Sequence, residues 1–165
     1  MEPVSETIQP SSDKGIGEFA CFVVNEERYA VDIMKVKEVS RYQTVSRLPR
    51  FPSFVEGVIN LRGNIIPVVD MRKRLGIASV DPTKRTRIII MSVVGKILGV
   101  IVDEAREVVR VPMSEVKQPP KFVKDIESDY LSGVIERENG LIFILDFDRI
   151  FSSEEKAGLS AGMHE

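Results

Sequence analysis

Short apolar runs rich in β-branched residues alternate with polar turns along most of the chain. The first runs cover 19–24 and 29–33, and a polar turn at 25–28 separates them. Polar and apolar positions then alternate over 36–42. Runs of this length, bounded by turn residues, are typical of β-strands rather than helices. The pattern predicts an all-β chain.

A longer apolar stretch at 88–102 has two possible interpretations. Ser92, Gly95 and Lys96 interrupt it, and a membrane-spanning helix needs about 20 apolar residues. Two β-branched strands joined by a two-residue turn at Gly95-Lys96 explain the stretch better. We therefore predict a hairpin here and no membrane span.

The chain contains an internal repeat. Residues 57–75 align without a gap over 133–151, and 19–39 align over 88–108. Matched pairs in the first alignment are Gly57 with Gly133, Ile66 with Ile142, Asp70 with Asp146, and Leu75 with Phe151. The first copy carries Asn60, Arg62 and a proline where the second carries a run of charged residues. A duplicated scaffold with one specialised copy indicates where function lies.

Each copy of 57–75 reads as a hairpin followed by a helical turn. In the first copy we predict strands at 58–61 and 65–69 around a tight turn at Arg62-Gly63-Asn64. Asp70 is placed to cap a helical turn that Gly76 closes. Before the hairpin, Ser53 is predicted to cap a short helical turn that ends at Gly57.

Each repeat offers about five short strands, which suits a small closed barrel. Two barrels packed together would share an apolar interface; a single immunoglobulin-like sandwich is the alternative, and the duplication favours two barrels. We predict a tail at 1–17, one domain at 18–156 with the first barrel mainly in 18–80 and the second mainly in 85–151, and a second tail at 157–165. Ser152-Ser-Glu-Glu155 has capping-box spacing, which predicts a short C-terminal helix.

Composition narrows the class of protein. A formal charge of −2 and a pI near 5.6 argue against nucleic-acid binding, which needs a basic surface. Cys21 lies in an apolar run, which indicates a buried thiol rather than a reactive one. The N-terminus carries no basic and apolar secretion signal. We predict a soluble cytoplasmic protein.

The sequence offers no catalytic or metal-binding constellation. One cysteine and one histidine are too few for a metal cluster or an activated nucleophile. Asp70 and Asp146 each follow a strand and could act as carboxylate catalysts, but helix capping explains them better. The basic cluster 72–74 is predicted to be a solvated helix face. We predict a non-enzyme with no cofactor, no metal and no catalytic residue.

Recognition by other proteins is what remains. Arg62 follows an apolar strand beside Gly63, and two explanations stand equal: an exposed hairpin-tip arginine, or an anchor whose rigid five-donor fork contacts a partner. Alternation places Val36 and Glu38 on one strand face, opposite Val39. That face suits a partner groove, although a strand end at the rim of the core explains it too.

Several motifs occur in an order that resembles a known family. They are Arg47-Leu-Pro49, then Pro52 and Phe54, then Gly57-Val-Ile-Asn-Leu-Arg-Gly63, then Ile66-Pro-Val-Val-Asp70, with support from 29–38 and from Gly99-Val-Ile-Val-Asp-Glu104 with Glu107-Val. The chain resembles the CheW-like family of bacterial chemotaxis coupling proteins over 19–151. Ala30 and Met71 depart from the residues usual in that family, by small changes in volume.

The resemblance implies a fold and a set of partners. The implied fold is two intertwined five-stranded Src-homology-3-like barrels that share a hydrophobic core, with short helical turns. The implied function is a chemotaxis adaptor that couples chemoreceptors to the histidine kinase CheA in arrays at the inner face of the membrane. A coupling protein of a related chemosensory pathway, such as pilus motility, and a nucleic-acid-binding small barrel are the alternatives.

The resemblance also implies two sets of contact residues. Receptor-binding residues would be Val36, Glu38, Gly57, Asn60, Leu61, Arg62 and Gly63. Kinase-binding residues, which would meet the CheA regulatory domain, would be Val100, Val102, Asp103 and Glu104. Membrane association would be indirect, through the receptors, and no nucleic acid would bind.

Overall fold

A computed structural model describes residues 15–47, 49, 52–119, 130–151 and 155. Its strands, numbered in chain order, are β1 Ile16–Val24, β2 Glu27–Asp32, β3 Val36–Arg41, β4 Val55–Leu61, β5 Asn64–Asp70, β6 Arg87–Val93, β7 Lys96–Val102, β8 Glu104–Pro112, β9 Leu131–Arg137 and β10 Gly140–Leu145. The helix α1, Met71–Arg74, follows β5, and 3-10 turns lie at Ile33–Lys35 and Met113–Glu115. Within the described residues, no helix is long and apolar enough to span a membrane.

The strands form two five-stranded sheets. The first has the order β3-β6-β7-β5-β4 and the second has the order β8-β1-β2-β10-β9. Both sheets have the Src-homology-3-like character that the resemblance implied, and we call them the first barrel and the second barrel. Two such barrels exclude the single immunoglobulin-like sandwich.

The two barrels exchange their hairpins. The N-terminal hairpin β1–β2 pairs with β8 and β10 in the second barrel, and the hairpin β6–β7 pairs with β3 and β5 in the first. Each barrel therefore takes two strands from one half of the chain and three from the other. The repeat in the sequence becomes a repeat in topology, because the two strand orders match once each strand is replaced by its counterpart.

Alternation along the exchanged hairpins explains the core. In β1, Phe19 and Cys21 face the interior of the second barrel, while Phe22 and Val24 face a core shared by both barrels. A side chain such as Phe22, fully buried, contributes about 1.5–3 kcal/mol by leaving water. Burial raises the pKa of the Cys21 thiol to about 11, which confirms the prediction of a buried, unreactive cysteine.

The shared core takes side chains from both sheets. On β6, Ile88 and Ile90 fill the first barrel, while Ile89 and Met91 join the shared core from the other face of the strand. Strands buried on both faces read as continuous apolar runs, as 88–91 does. The hairpin predicted at 88–102 is confirmed, and its turn residues are Val94 and Gly95 rather than Gly95 and Lys96.

Three local predictions need correction or fall outside the described residues. β1 begins at Ile16, inside the predicted tail, because Ile16 pairs with Pro112 of β8, a contact invisible in local sequence. The helical turn expected between Ser53 and Gly57 is wrong, since β4 starts at Val55. The predicted tail residues 1–14 and 157–165, and the C-terminal helix except Glu155, lie outside the described residues.

Candidate functional site

The tip of the β4–β5 hairpin projects from the first barrel. Leu61 pairs with Asn64, so the loop has two residues, Arg62 and Gly63. Both have positive φ, 53° for Arg62 and 90° for Gly63. This geometry belongs to a type I′ turn, which suits the twist of a hairpin but strains a residue that has a Cβ. Arg62 therefore stands at the outermost point of the loop.

Asn60 stabilises the turn from the preceding strand. Its side-chain oxygen Oδ1 accepts a hydrogen bond from the Gly63 amide at 2.8 Å. Short polar side chains often supply such local acceptors in turns. Asn60 is exposed, so its amide NH₂ group remains at the protein surface beside Arg62.

Arg62 is exposed and yet held by an ion pair. Its guanidinium donates to both carboxylate oxygens of Glu38, with Nη1 to Oε1 at 3.4 Å. The Arg62 side chain is 72% exposed, while that of Glu38 is 31% exposed. The Glu38 carboxylate raises the pKa of Arg62, so the arginine stays charged. Two of its five N–H donors are used in the pair. The structure confirms an exposed hairpin-tip arginine, and contact with a partner stays a prediction.

The ion pair also helps to close the first barrel. Glu38 lies in β3 and Arg62 follows β4, the two strands at the edges of this sheet. Ser46, beyond β3, exchanges backbone hydrogen bonds of 2.9 Å and 2.8 Å with Val58 of β4. The two edges of the sheet are therefore joined along β4 by backbone and at its tip by side chains.

Val36 and Leu61 lie at the rim of the core. Val36 is partly buried against the shared core, and Leu61 is partly buried against the interior of the first barrel. Val39 is 46% exposed. The register of β3 shifts between Val36 and Glu38, which pair with Met91 and Ile90 on opposite faces of β6. The prediction that Val36 and Glu38 share a face opposite Val39 therefore does not hold, because a β-bulge interrupts the alternation. We call Glu38, Asn60, Leu61, Arg62 and Gly63 the tip site.

Gly57 lies away from the tip site. It is buried in β4, and a Cβ atom there would approach the backbone oxygen of Ser46 to 2.1 Å. That approach is required because Ser46 pairs with the neighbouring Val58. Packing of the chain against β4 explains the glycine, and the structure gives it no surface for a receptor.

Two of the residues expected to bind the kinase are inaccessible. Val100 and Val102, in β7, are 0% and 1% exposed and belong to the shared core. Their assignment as contact residues is wrong. The reason is that β7 belongs to the exchanged hairpin and is covered on both faces. Its apolar run therefore indicates a buried strand and not a contact surface.

Asp103 and Glu104 are partly exposed and engaged in ion pairs. Arg72 donates from Nε and Nη2 to Asp103 at 3.0 Å and 2.8 Å. Burial opposes the charge on Asp103, but the hydrogen bonds from Arg72 and from the Asn25 amide hold its pKa below the ordinary value. Arg106 Nε donates to Glu104 at 2.6 Å. Of the expected kinase residues, only these two present side-chain atoms to solvent.

The basic cluster at 72–74 is not a solvated helix face, contrary to the prediction. Besides Arg72, Lys73 Nζ lies 2.6 Å from Glu56 Oε2, and Arg74 Nη2 lies 3.1 Å from Glu155 Oε1. Arg74 also packs over the Phe151 ring. The cluster was misjudged because its partners are 17 or more positions away along the chain.

The structure explains Asp70 and Asp146 as local hydrogen-bond acceptors. Asp70 Oδ1 accepts from the Arg72 amide at 3.0 Å, and Asp146 Oδ1 accepts from the Asp148 amide, also at 3.0 Å. The capping prediction is confirmed for Asp70, which begins α1; Asp146 makes the same local bond at the start of a turn over 147–149 rather than a helix. Among the described residues, no group of three histidine, cysteine or acidic side chains is arranged to hold a metal ion.

Sequence reasoning missed an open groove of about 730 Å³ on the second barrel. Its apolar lining includes Ile16, Phe19, Ile33, Met34, Met113 and Val116, and its rim includes Glu18, Asp32, Asp146 and Asp148. We call it the acidic groove. Met34 is 83% exposed and Ile16 is 55% exposed. Ile16 falls within the predicted tail, and an isolated methionine such as Met34 gives no periodic signal.

Comparisons with known proteins agree with this fold. Residues 18–155 match the model of the CheW-like domain. The chemotaxis protein CheW of Bacillus subtilis is 36% identical over 133 residues, which cover 81% of this chain and 85% of that protein. Protein FrzA of Myxococcus xanthus is 31% identical over 147 residues, covering 87% of this chain and 90% of the relative.

A solved structure gives the same result in three dimensions. The scaffolding protein TtCheW of Thermoanaerobacter tengcongensis superimposes with a TM-score of 0.74 at 34% sequence identity. The match covers 84% of this chain and 94% of that one. The chain belongs to the CheW-like domain family of chemotaxis coupling proteins.

Proposed function

We propose that this protein joins chemoreceptors to the histidine kinase CheA by binding both, without catalysing a reaction. The observation that carries the proposal is the tip site, where a charged arginine is exposed at the outermost point of a hairpin and oriented by Glu38. A pre-oriented arginine loses little side-chain entropy on binding, which favours its use as an anchor. The proposed location is the cytoplasm, at receptor arrays.

The tip site is proposed as the receptor contact. Arg62 and Asn60 supply donors at the surface, and Gly63 adds no side chain that would keep a partner away. Val36 and Leu61 contribute by supporting this surface from the core rim. Gly57 contributes only by letting the chain at Ser46 pass close to β4.

The kinase contact is proposed at Glu104, the first residue of β8. Glu104 lies near Arg106 and Arg85, whose ion pairs with it measure 2.6 Å and 3.7 Å. This cluster is partly exposed and lies apart from the tip site in sequence and strand order. Two separate contacts are what an adaptor needs, and many weak contacts in an array would act together through high effective concentration.

The test is binding of purified chain to a chemoreceptor cytoplasmic fragment and to CheA, together and separately. Arg62→Glu should weaken receptor binding roughly tenfold or more, the cost of losing a central interface arginine. The matched control is Arg110→Glu, because Arg110 is also exposed and also pairs with a glutamate, Glu18. Glu104→Lys should weaken CheA binding alone.

A charge swap separates recognition from local structure. The double variant Glu38→Arg, Arg62→Glu restores an ion pair within the hairpin but reverses the charge at its tip. Receptor binding should stay weak in the double variant if a partner contacts Arg62. Full recovery would mean that the pair is only structural, and absence of binding to both partners in the wild-type chain would refute the adaptor function.

The second candidate is a coupling protein of a related chemosensory pathway. The likeness to FrzA, at 31% identity, is the observation that favours it. The two candidates differ in partner rather than in mechanism, so receptor fragments from different pathways distinguish them in the same binding assay. A nucleic-acid-binding role is disfavoured by the net charge of −2.

A further inference from the structure

Asp103 joins the two barrels at one side of the molecule. It lies between β7 of the first barrel and β8 of the second. Its carboxylate is held by Arg72 of α1, at 3.0 Å and 2.8 Å, and accepts the Asn25 amide at 2.8 Å. Asn25 is the first residue of the β1–β2 turn, which belongs to the second barrel. We call this contact the Asp103 clamp.

Asp148 makes the corresponding contact on the other side. It follows β10 of the second barrel, and its Oδ1 accepts the Val94 amide at 2.9 Å. Val94 is the first residue of the β6–β7 turn, which belongs to the first barrel. Lys35 Nζ, at the crossing from β2 to β3, lies 2.5 Å from Asp148 Oδ2. We call this contact the Asp148 clamp.

The two clamps occupy equivalent places with their charges exchanged. The repeat aligns Val94 with Asn25 and Asp148 with Arg72. In the Asp103 clamp, the cation Arg72 follows the capping Asp70, and the anion Asp103 lies at the crossing from β7 to β8. In the Asp148 clamp, the anion Asp148 follows Asp146, and the cation Lys35 lies at the crossing from β2 to β3. In both, a carboxylate receives the first amide of the hairpin turn contributed by the other barrel.

The two clamps differ in strength for three physical reasons. Arg72 makes a two-bonded fork with Asp103, whereas Lys35 is a point charge on a flexible stem. The Arg72 and Asp103 side chains are 14% and 27% exposed, against 36% and 34% for Lys35 and Asp148, so solvent and salt screen the second pair more.

The third reason is backbone strain. Asn25 has φ 51° and Val94 has φ 45°. Asparagine tolerates this left-handed region, whereas a β-branched valine is strained in it. At the residue whose amide the carboxylate binds, the backbone is therefore more strained in the Asp148 clamp. At the second turn position the order reverses, with Glu26 at φ 71° beside Asn25 and Gly95 at φ 79° beside Val94, so the third reason applies to the bound residue alone.

We propose that the Asp103 clamp is the fixed joint between the barrels and that the Asp148 clamp is the joint that yields. Lys35 and Asp148 also line the acidic groove, so release of this clamp alters the groove and the angle between the barrels together. Any surface on the first barrel then moves relative to any surface on the second, while the Asp103 side stays closed.

Amide hydrogen exchange in the full chain tests the proposal. Asp148→Asn should accelerate exchange at Val94 roughly tenfold and leave Asn25 unchanged, because local opening sets these rates. Asp103→Asn should accelerate hydrogen exchange at the Asn25 amide. Asp81→Asn is the matched control, since it removes the same charge from an exposed loop. In the wild-type protein, added salt should accelerate hydrogen exchange at the Val94 amide more than at the Asn25 amide.

Inter-barrel distance gives an independent readout. Spin labels at Ile65→Cys on β5 and Leu141→Cys on β10 occupy exposed, equivalent positions on the two barrels, and the native Cys21 is buried. Asp148→Asn should broaden the distance distribution, and Val94→Asn, which relieves the strained turn, should narrow it. The proposal is overturned if Asp148→Asn gives the same hydrogen-exchange rates and the same distance distribution as Asp81→Asn. It is also overturned if Asp148→Asn accelerates amide exchange equally throughout both barrels.

Discussion

The two hairpin tips share a two-residue loop and differ in backbone conformation and in charge, since Arg62 and Gly63 have positive φ and the second loop, Glu138 and Asn139, does not. On the first barrel, Arg62 projects from the turn and pairs with Glu38 of the neighbouring edge strand. On the second barrel the repeat places Glu138 in the position of Arg62 and Glu107 in that of Glu38. Two acids would repel each other there, so the second tip needs cations from elsewhere.

Those cations come from strands rather than from the turn. Arg28 of β2 and Arg137 of β9 line a cavity of about 390 Å³ with Glu107, Glu138, Asn139 and Ile142. Arg28 Nη2 donates to Asn139 Oδ1 at 2.8 Å. One tip therefore presents an arginine at its outermost point, and the other presents a glutamate with arginines set back on its flanks. Both tips join equivalent pairs of strands, and the charged side chains exposed there differ.

The glycines beneath the two tips are also only partly equivalent. At Gly57 an added Cβ would meet the backbone oxygen of Ser46 at 2.1 Å; at Gly133 it would meet the Val116 side chain at 2.5 Å. A side chain can rotate away, but a hydrogen-bonded backbone cannot. Gly57→Ala should therefore lower the free energy of unfolding by about 3–4 kcal/mol and Gly133→Ala by about 1–2 kcal/mol.

Urea denaturation of both variants measures this difference. Ala30→Gly, which removes a fully buried methyl group from β2, controls for the general sensitivity of the strands. Equal losses for the two glycine variants would show that the closure of the first barrel at Ser46 is no more rigid than that of the second at Val116.

The two clamp aspartates should differ in their dependence on pH. Because the native pKa of Asp103 is lowered by Arg72 and the Asn25 amide against the effect of burial, the unfolded state takes up the proton first as pH falls. Its stabilisation is therefore complete above the ordinary carboxyl pKa near 4, and is lost as pH falls through the lower native value. Asp103→Asn should cost about 2 kcal/mol at pH 7 and progressively less below pH 4.

The comparison variant is Asp148→Asn. Its partner Lys35 is more exposed, so the loss at pH 7, which includes the hydrogen bond from the Val94 amide, should be about 1–1.5 kcal/mol, less than for Asp103→Asn. Denaturation at pH 7 and at pH 3 separates the two effects. A deficit for Asp103→Asn that stays constant between these pH values would mean that its ionised carboxylate is not what stabilises the fold.

Local patterns predicted the elements well, and the fold followed from the repeat and the resemblance. Alternation located β3 and the β4–β5 hairpin, and residue type identified the Asp70 cap, because these features depend on neighbours within a few residues. Hairpin exchange escaped prediction from the residues because pairs such as Ile16 with Pro112 join distant segments. Non-local pairing leaves no periodic trace in either strand.

The site was predicted in part for the same reason. The sequence indicates Arg62 and Glu38 separately, because their pairing depends on closure of the first barrel. Val100 and Val102 were misassigned although a signal was present: the run 97–102 is apolar throughout except for Gly99, as expected for a strand covered on both faces. Where an apolar run does not alternate, burial is the better prediction than contact.

The smallest expected effect concerns Asn60 and its counterpart Glu136. Asn60→Ala removes the hydrogen bond to the Gly63 amide and should cost about 0.5–1 kcal/mol, whereas Glu136→Ala loses an exposed pair with Lys117 and should cost about 0–0.5 kcal/mol. Asn60→Asp keeps the acceptor and should retain most of the stability. If the tip works by holding Arg62 in place, Asn60→Ala should also weaken receptor binding while Asn60→Asp does not. Equal weakening by both variants would instead assign the effect to the Asn60 NH₂ group, as a direct contact with the partner.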